Sequence, residues 1–179
     1  MSDQFLFTTP NDPRAKPMFD ELIVEYDSRY GTHFSPKGAT EELSRYPAEL
    51  FAPPEGNFLL LIRNGETIGG GAFKRFDATT AEFKRVWTRK DLRRQGLARI
   101  VLEQLEAQAA AQGYSRVYLT TGFRQPEAVG LYLRHGYSAL FDLEAEPETI
   151  GKLPFEKHLV GPGTYTHELL RGRSAVGTV

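Results

Sequence analysis

The sequence predicts a mixed α/β domain, a sheet of about seven strands flanked by helices, antiparallel in its first half and parallel where a helix crosses over. Three observations predict it. Strand-like runs at Asn57 to Arg63, Glu66 to Phe76 and Ala81 to Trp87 follow one another, the first two joined at Asn64-Gly65, a two-residue hairpin signal. Between Leu92 and Gln112 the apolar period changes to three and four, with Ala98, Val101, Leu102, Leu105 and Ala109 on one helical face. A strand, a helix and another strand then follow, so the hairpins give way to a β-α-β-α-β succession.

Phe5-Leu6-Phe7 reads as a strand that ends at Thr8-Thr9-Pro10, and Asn11-Asp12-Pro13 supplies a turn and a helix start. From Ala15 to about Tyr30, Met18, Leu22, Ile23 and Tyr26 recur at helical spacing, and Gly31 ends the run. A second helix is predicted from Ser35 to Tyr46, bounded by Pro47, with Ala52 to Gly56 as a loop. Gly113 sits where a helix C-terminal cap belongs. Arg116 to Thr121 alternates as a buried strand, Pro126 to His135 is a helix stopped by Gly136, and Tyr137 to Phe141 and Phe155 to Val160 are the last strands. A single domain over residues 1–160 is expected, with a tail of unassigned role over 161–179.

Composition narrows the partners. Basic and acidic residues nearly cancel, leaving a formal net charge of -1, so no global field favours nucleic acid or an anionic membrane. The absence of cysteine excludes a disulfide framework and a thiolate nucleophile and is compatible with a reducing compartment. The longest apolar run, Phe58 to Ile62, is too short to span a bilayer, and Met1 to Gln4 lacks signal-peptide character, so a cytoplasmic location is expected. His33, His135, His158 and His167 are scattered without metal-ligand spacing, and no metal is expected.

The segment most informative about chemistry is Arg93-Arg94-Gln95-Gly96-Leu97-Ala98-Arg99, between a predicted strand and the strongest helix. Free N–H groups at a helix start, with the helix dipole, receive anionic oxygens. Gly96 and Ala98 keep the approach open, and Arg93, Arg94 and Arg99 add charge for phosphate. A solvated helix start would use the same residue types. Neither a Gly-x-Gly-x-x-Gly turn nor the Gly-Lys-Ser/Thr of a P-loop is present.

Three blocks together resemble the GNAT superfamily of N-acetyltransferases. Arg93 to Ala98 is similar to its pattern of Gln or Arg, two residues, Gly, one residue, then Gly or Ala. Glu82-Phe83-Lys84-Arg85-Val86-Trp87-Thr88 resembles the strand that precedes that turn, and Gln125 to Tyr137 resembles the family's second block, with Ala128, Leu131-Tyr132 and Gly136-Tyr137 in place. The resemblance spans about Phe58 to Phe141. It implies acetyl-CoA as co-substrate, with its pyrophosphate at Arg93, Arg94, Gln95, Gly96, Leu97, Ala98 and Arg99, and pantetheine in a gap where the sheet splays between its fourth and fifth strands. Backbone at Val86, Trp87 and Thr88 would face the thioester and pantetheine. Gln125 stands where the family commonly has Asn, which keeps the amide and moves it outward; Thr88 replaces the usual Val.

Acetyl transfer to an amine needs a neutral nitrogen, stabilisation of the oxyanion and a proton for the departing thiolate. Glu82 lies four positions before Val86, and strict alternation puts both on one face, where the carboxylate can take an ammonium proton directly or through water. Alternatively it is a strand carboxylate paired with Lys84 or Arg75. Tyr132 matches the tyrosine that resembling enzymes use to protonate the thiolate; the alternative is packing with Leu131 and Tyr137. Lys74, Arg75, Lys84 and Arg85 form a cross-strand basic patch able to hold an acceptor carboxylate, and Trp87 is expected in the core, facing away from Val86. The resemblance implies that the N-terminal helices wall the acceptor side, and a homodimer is compatible with it. The reading favours a small-molecule amine as acceptor, against a protein N-terminus or lysine, or a non-catalytic acyl-CoA sensor.

Overall fold

The computed structural model describes residues 3–159; the tail over 161–179 lies outside them, as does His167. Seven strands form one sheet in the order β1-β2-β3-β4-β5-β7-β6, with β1 at Gln4–Thr8, β2 at Asn57–Arg63, β3 at Glu66–Arg75, β4 at Thr80–Thr88, β5 at Arg116–Gly122, β6 at Ser138–Ala139 and β7 at Lys152–His158. All neighbours are antiparallel except β4 and β5. Five helices accompany them among the described residues: α1 at Lys16–Tyr30, α2 at Ala39–Ser44, α3 at Leu97–Ala111, α4 at Pro126–Arg134 and α5 at Pro147–Ile150. None is long and apolar enough to cross a membrane.

Two cores flank the sheet. On one face, Val101, Leu102 and Leu105 of α3 pack with Leu59, Phe73, Phe83 and Phe155; on the other, Met18 and Leu22 of α1 pack with Phe58, Leu60 and Trp87. Both helices press close on β3 because it is thinned by glycine. A Cβ on Gly70 would collide with Met18, and one on Gly71 would lie 2.7 Å from Leu105 Cδ1. A larger residue at Gly70 would also press on the backbone carbonyl of Leu59, and at either position the neighbouring Met18 or Leu105 side chain would have to shift.

Several expected elements are shorter or differently placed. The predicted Ser35–Tyr46 helix contracts to α2, since Gly38 holds a left-handed φ of 74° and Pro47 stops the far side. The long helix starts at Leu97 rather than Leu92, after a 3-10 turn at Lys90–Leu92. The strand expected over Tyr137–Phe141 pairs only at Ser138 and Ala139. The final strand begins at Lys152 and inserts between β5 and β6.

Two irregularities position the site. β4 and β5 pair only at Thr80–Arg116, Ala81–Val117 and Glu82–Tyr118 before diverging, so β4 beyond Glu82 has no strand partner on that side. In β4 an extra residue interrupts pairing with β3: Ala72 faces Lys84, Gly70 faces Trp87, and Arg85 takes a φ of 60°. This bulge reverses the alternation. Ala81, Phe83 and Val86 face α3, whereas Glu82, Lys84, Arg85 and Trp87 face α1 and α2. The expectation that Glu82 and Val86 share a face is therefore corrected, and Trp87 is buried on the face opposite Val86.

Candidate active site

The turn before α3 is built to leave donors free. Arg93 is extended, Arg94 and Gly96 take left-handed φ values of 65° and 78°, and the helix follows at Leu97. Nothing lies within 4 Å of a Cβ built on Gly96, so the glycine is needed for its conformation rather than for space within the protein. The helix's first backbone bond is Ile100 N–H to Gly96 O at 3.3 Å. The N–H groups of Leu97, Ala98 and Arg99 precede it and have no backbone acceptor among the described residues. Three donors converging at a positive helix end fit a polyanionic group such as a pyrophosphate.

The arginines around this turn differ in freedom. Arg93 donates to Glu25 of α1 at 2.9 Å and Arg99 to Glu103 one turn on, also at 2.9 Å. Arg94 is exposed and makes no ion pair among the described residues.

From this turn a cavity of about 740 Å³ runs along the splayed strands to α1 and α2. Val86, Trp87 and Thr88 line it from β4; Arg93, Arg94, Gly96, Leu97, Ala98 and Arg99 line it from the turn; Gln125 and Tyr132 close the opposite side. Gln95 is exposed and its side chain is not part of this wall. Glu82 is not part of it either: its carboxylate is held by Lys74 at 3.1 Å and stands 3.8 Å from Lys84. The alternative pairing with Lys84 is thus present, with Lys74 in place of Arg75, which instead approaches Glu55 at 4.0 Å.

Gln125 does not extend outward as its extra methylene suggested. Its Oε1 turns back and accepts from Gly122 N–H at 3.1 Å, Thr121 Oγ1 at 3.2 Å and Tyr30 Oη at 3.1 Å. The amide carbonyl thereby knits the end of β5 and the start of α4 to α1. Tyr30 also accepts from Arg124 N–H at 3.2 Å, and a Cβ on Gly122 would overlap the Tyr30 hydroxyl.

Tyr132 is buried among aromatic rings, with Tyr137 at 5.5 Å and Phe155 at 5.6 Å between centroids. Packing and cavity lining coexist at this residue. Burial, with a smaller contribution from Tyr26, pushes its phenol far above the usual range, so it keeps its proton. Tyr26 of α1 also lines the cavity, and burial, with Glu25, pushes it up to about 12.

Sequence reasoning missed Glu42 and Lys152, which meet at 3.2 Å and line the end of the cavity beside α1 and α2. Glu42 sits on a short helix and Lys152 opens a strand whose start carried no pattern, so the only available signal was their charge. Among the described residues no three His, Asp or Glu side chains converge as metal ligands. His33 packs edge-on against Phe34 and Phe123.

Comparison with known proteins agrees with this arrangement. An "IAA acetyltransferase" of Azospirillum brasilense is 30% identical over 112 residues, which cover 55% of this chain and 73% of the relative. A Klebsiella pneumoniae structure carrying the name acyl-CoA N-acyltransferase superposes with a TM-score of 0.63 at 26% identity, over 87% of this chain and 98% of its own. The PaiA N-acetyltransferase of Thermoplasma acidophilum, solved with coenzyme A, shares the fold with a TM-score of 0.64 at 16% identity, over 88% of this chain and 99% of its own. The profile of the acetyltransferase (GNAT) family matches residues 15–137, from α1 through the anion-receiving turn to the end of the Tyr132 block. With that match spanning most of the described structure, the chain belongs to the acetyltransferase (GNAT) family.

Proposed function

We propose that the protein transfers an acetyl group from acetyl-CoA, the acetyl donor of its family, to the primary amine of a small molecule by direct attack in a ternary complex. The observation that carries this reading is one continuous cavity joining three features: free N–H donors at α3, the unpaired edge of β4, and the hydroxyl-bearing Tyr132. Acetyl-CoA supplies an acyl carbon activated by its thioester.

The protein's residues divide the work. Backbone at the start of α3, with Arg94 and the paired Arg93 and Arg99, holds the pyrophosphate. Backbone of β4 from Val86 to Thr88 aligns the pantetheine and offers N–H to the carbonyl oxygen, filling hydrogen-bonding capacity that β5 leaves open. The acceptor nitrogen bonds to the acetyl carbon as the carbon–sulfur bond breaks. Tyr132, kept protonated by burial, hydrogen-bonds the sulfur and supplies its proton. Glu82, set behind Lys84, receives the ammonium proton through water rather than by contact.

The near-balanced charge of the chain, which offers no strong field to draw a charged protein segment, favours a small acceptor. A thiol-release assay with acetyl-CoA against amines, amino acids and peptides tests the proposal, with mass spectrometry locating the acetyl group. N-acetylation of small amines is expected. Turnover on peptides alone, or donor binding with no turnover on any amine, overturns it.

A further inference from the structure

The acceptor half holds more positive charge than its own carboxylates match. Lys84 lines the cavity with its Nζ 4.8 Å above the Tyr46 ring, and its nearest carboxylate oxygen, on Glu82, is 3.8 Å away, beyond hydrogen-bond reach. Glu82 gives its other oxygen to Lys74 at 3.1 Å. Lys152, also in the wall, donates to Glu42 at 3.2 Å and lies 5.3 Å from the Phe34 ring; Arg45 stands 2.8 Å from the second Glu42 oxygen as an ion pair without hydrogen-bond geometry. Arg85 donates to Leu43 O and lies over Phe51 at 4.8 Å, with no carboxylate partner among the described residues. In the wall itself, Glu42 is thus the carboxylate set against Lys84, Arg85 and Lys152, while Glu82 and Lys74 stand behind it.

Such an excess is costly where water is partly excluded. Desolvation holds the Lys84 ammonium below its ordinary pKa; Glu82 opposes this, and Lys152 and Lys74 add to it. An anion placed between Lys84 and Lys152 relieves both burial and repulsion and gains charge-assisted hydrogen bonds. A second cation in the same place adds to the repulsion. Tyr26, Tyr30 and Phe34 add an aromatic wall that suits a compact apolar body, and Glu25 beside them is paired with Arg29 and Arg93.

We infer that the acceptor is a small amine that also bears a carboxylate, and that Lys84, with Lys152, reads this carboxylate. The inference rests on the acetyl-transfer reading of the cavity and specifies the acceptor class that reading leaves open. It makes amino-acid-like anions the substrates and polyamines poor ones.

The test measures acetylation of phenylalanine and β-alanine beside their carboxamides and decarboxylated amines, with kcat/KM corrected for the fraction of neutral amine. Acids are expected to exceed amides by about tenfold, the worth of one charge-assisted contact. Lys84→Gln is expected to erase that margin by raising KM for the acids far more than for the amides, with KM for acetyl-CoA unchanged. Lys152→Gln provides a second variant should the first fail to fold.

Equal or better use of amides or polyamines, or a loss in Lys84→Gln that falls alike on acids and amides, overturns the inference while acetyl transfer stands. If no amine turns over, ligand-observed NMR with CoA present compares N-acetylphenylalanine with its carboxamide. Preferential binding of the acid keeps the carboxylate site. Equal binding, or none, removes it.

Discussion

Arg93, in the turn before α3, donates to one oxygen of Glu25 at 2.9 Å, while Arg29 holds the other at 3.1 Å. One carboxylate on α1 thereby ties the turn before α3 to α1 and commits Arg93 to a structural contact. Arg94 is then the cation freest to meet phosphate. Arg94→Ala is expected to raise KM for acetyl-CoA about fivefold, consistent with losing one exposed charge-assisted bond. Arg93→Ala should raise it less. Steady-state kinetics at two salt concentrations check both, since the Arg94 effect should shrink as salt rises.

Tyr132→Phe removes the hydroxyl and keeps the ring that packs on Tyr137 and Phe155. The thermal midpoint should hardly change, while kcat is expected to drop on the order of a hundredfold, within the range for loss of a general acid. Unchanged kcat at saturating substrates would mean that packing is its entire role.

Glu82→Gln tests the water-mediated proton path. Because the carboxylate is set back behind Lys84, kcat should fall by about tenfold, short of the loss seen when a base in direct contact is removed. KM for the acceptor should not rise, as Lys84 loses a competing internal anion. A pH–rate profile that keeps its acid limb unchanged would exclude Glu82 from proton transfer.

Gly122→Ala places a methyl group on the Tyr30 hydroxyl and should break the contacts from Tyr30 to Gln125 and Arg124. A stability loss of about 1–3 kcal/mol is expected for such overpacking, measured from the urea midpoint. Activity should fall with it, because the same contacts locate Gln125 in the cavity wall. Tyr30→Phe in the Gly122→Ala background should recover little, because the ring carbon Cζ would still lie 2.4 Å from the new methyl group.

Alkaline stability offers an independent check on the buried phenols. Burial raises the pKa of Tyr26 to about 12 and that of Tyr132 further, whereas the unfolded side chains titrate near 10. The folded chain therefore keeps protons that the unfolded chain releases. Their contribution is fully present below pH 10 and is lost as pH rises through 10 toward the folded values. The urea midpoint should decline from about pH 10 toward pH 12, and the Tyr26→Phe, Tyr132→Phe double variant should decline less. Tyr30, Tyr114 and Tyr118 are raised too, so some dependence should persist.

The elements most legible in the sequence were those whose signals are local. Asn64-Gly65 marks its hairpin because both residues take positive φ, 52° and 78°, as the turn requires. The apolar face of α3 and the caps at Gly113 and Gly136 are likewise written in short range. The course of β7 between β5 and β6 depends on pairings across some forty residues, which no local pattern encodes. At the candidate site, the glycine turn before α3 and Tyr132 were legible through motif and spacing, and the structure places both on one cavity. The placement of Glu82 was not, because a single extra residue at Arg85 reverses alternation and nothing in Lys84-Arg85-Val86 announces it. Glu42 and Lys152 come together from opposite ends of the chain and were invisible for the same reason as β7.

The three residue pairs that join β4 to β5 have a mechanical consequence. They form a short seam between two plates, β1 to β4 on one side and β5 to β7 on the other. Past that seam, the edge that an ordinary sheet would close internally is offered to whatever enters. A guest lying there would supply rungs that the polypeptide omits, and occupancy would then bear on the integrity of the sheet.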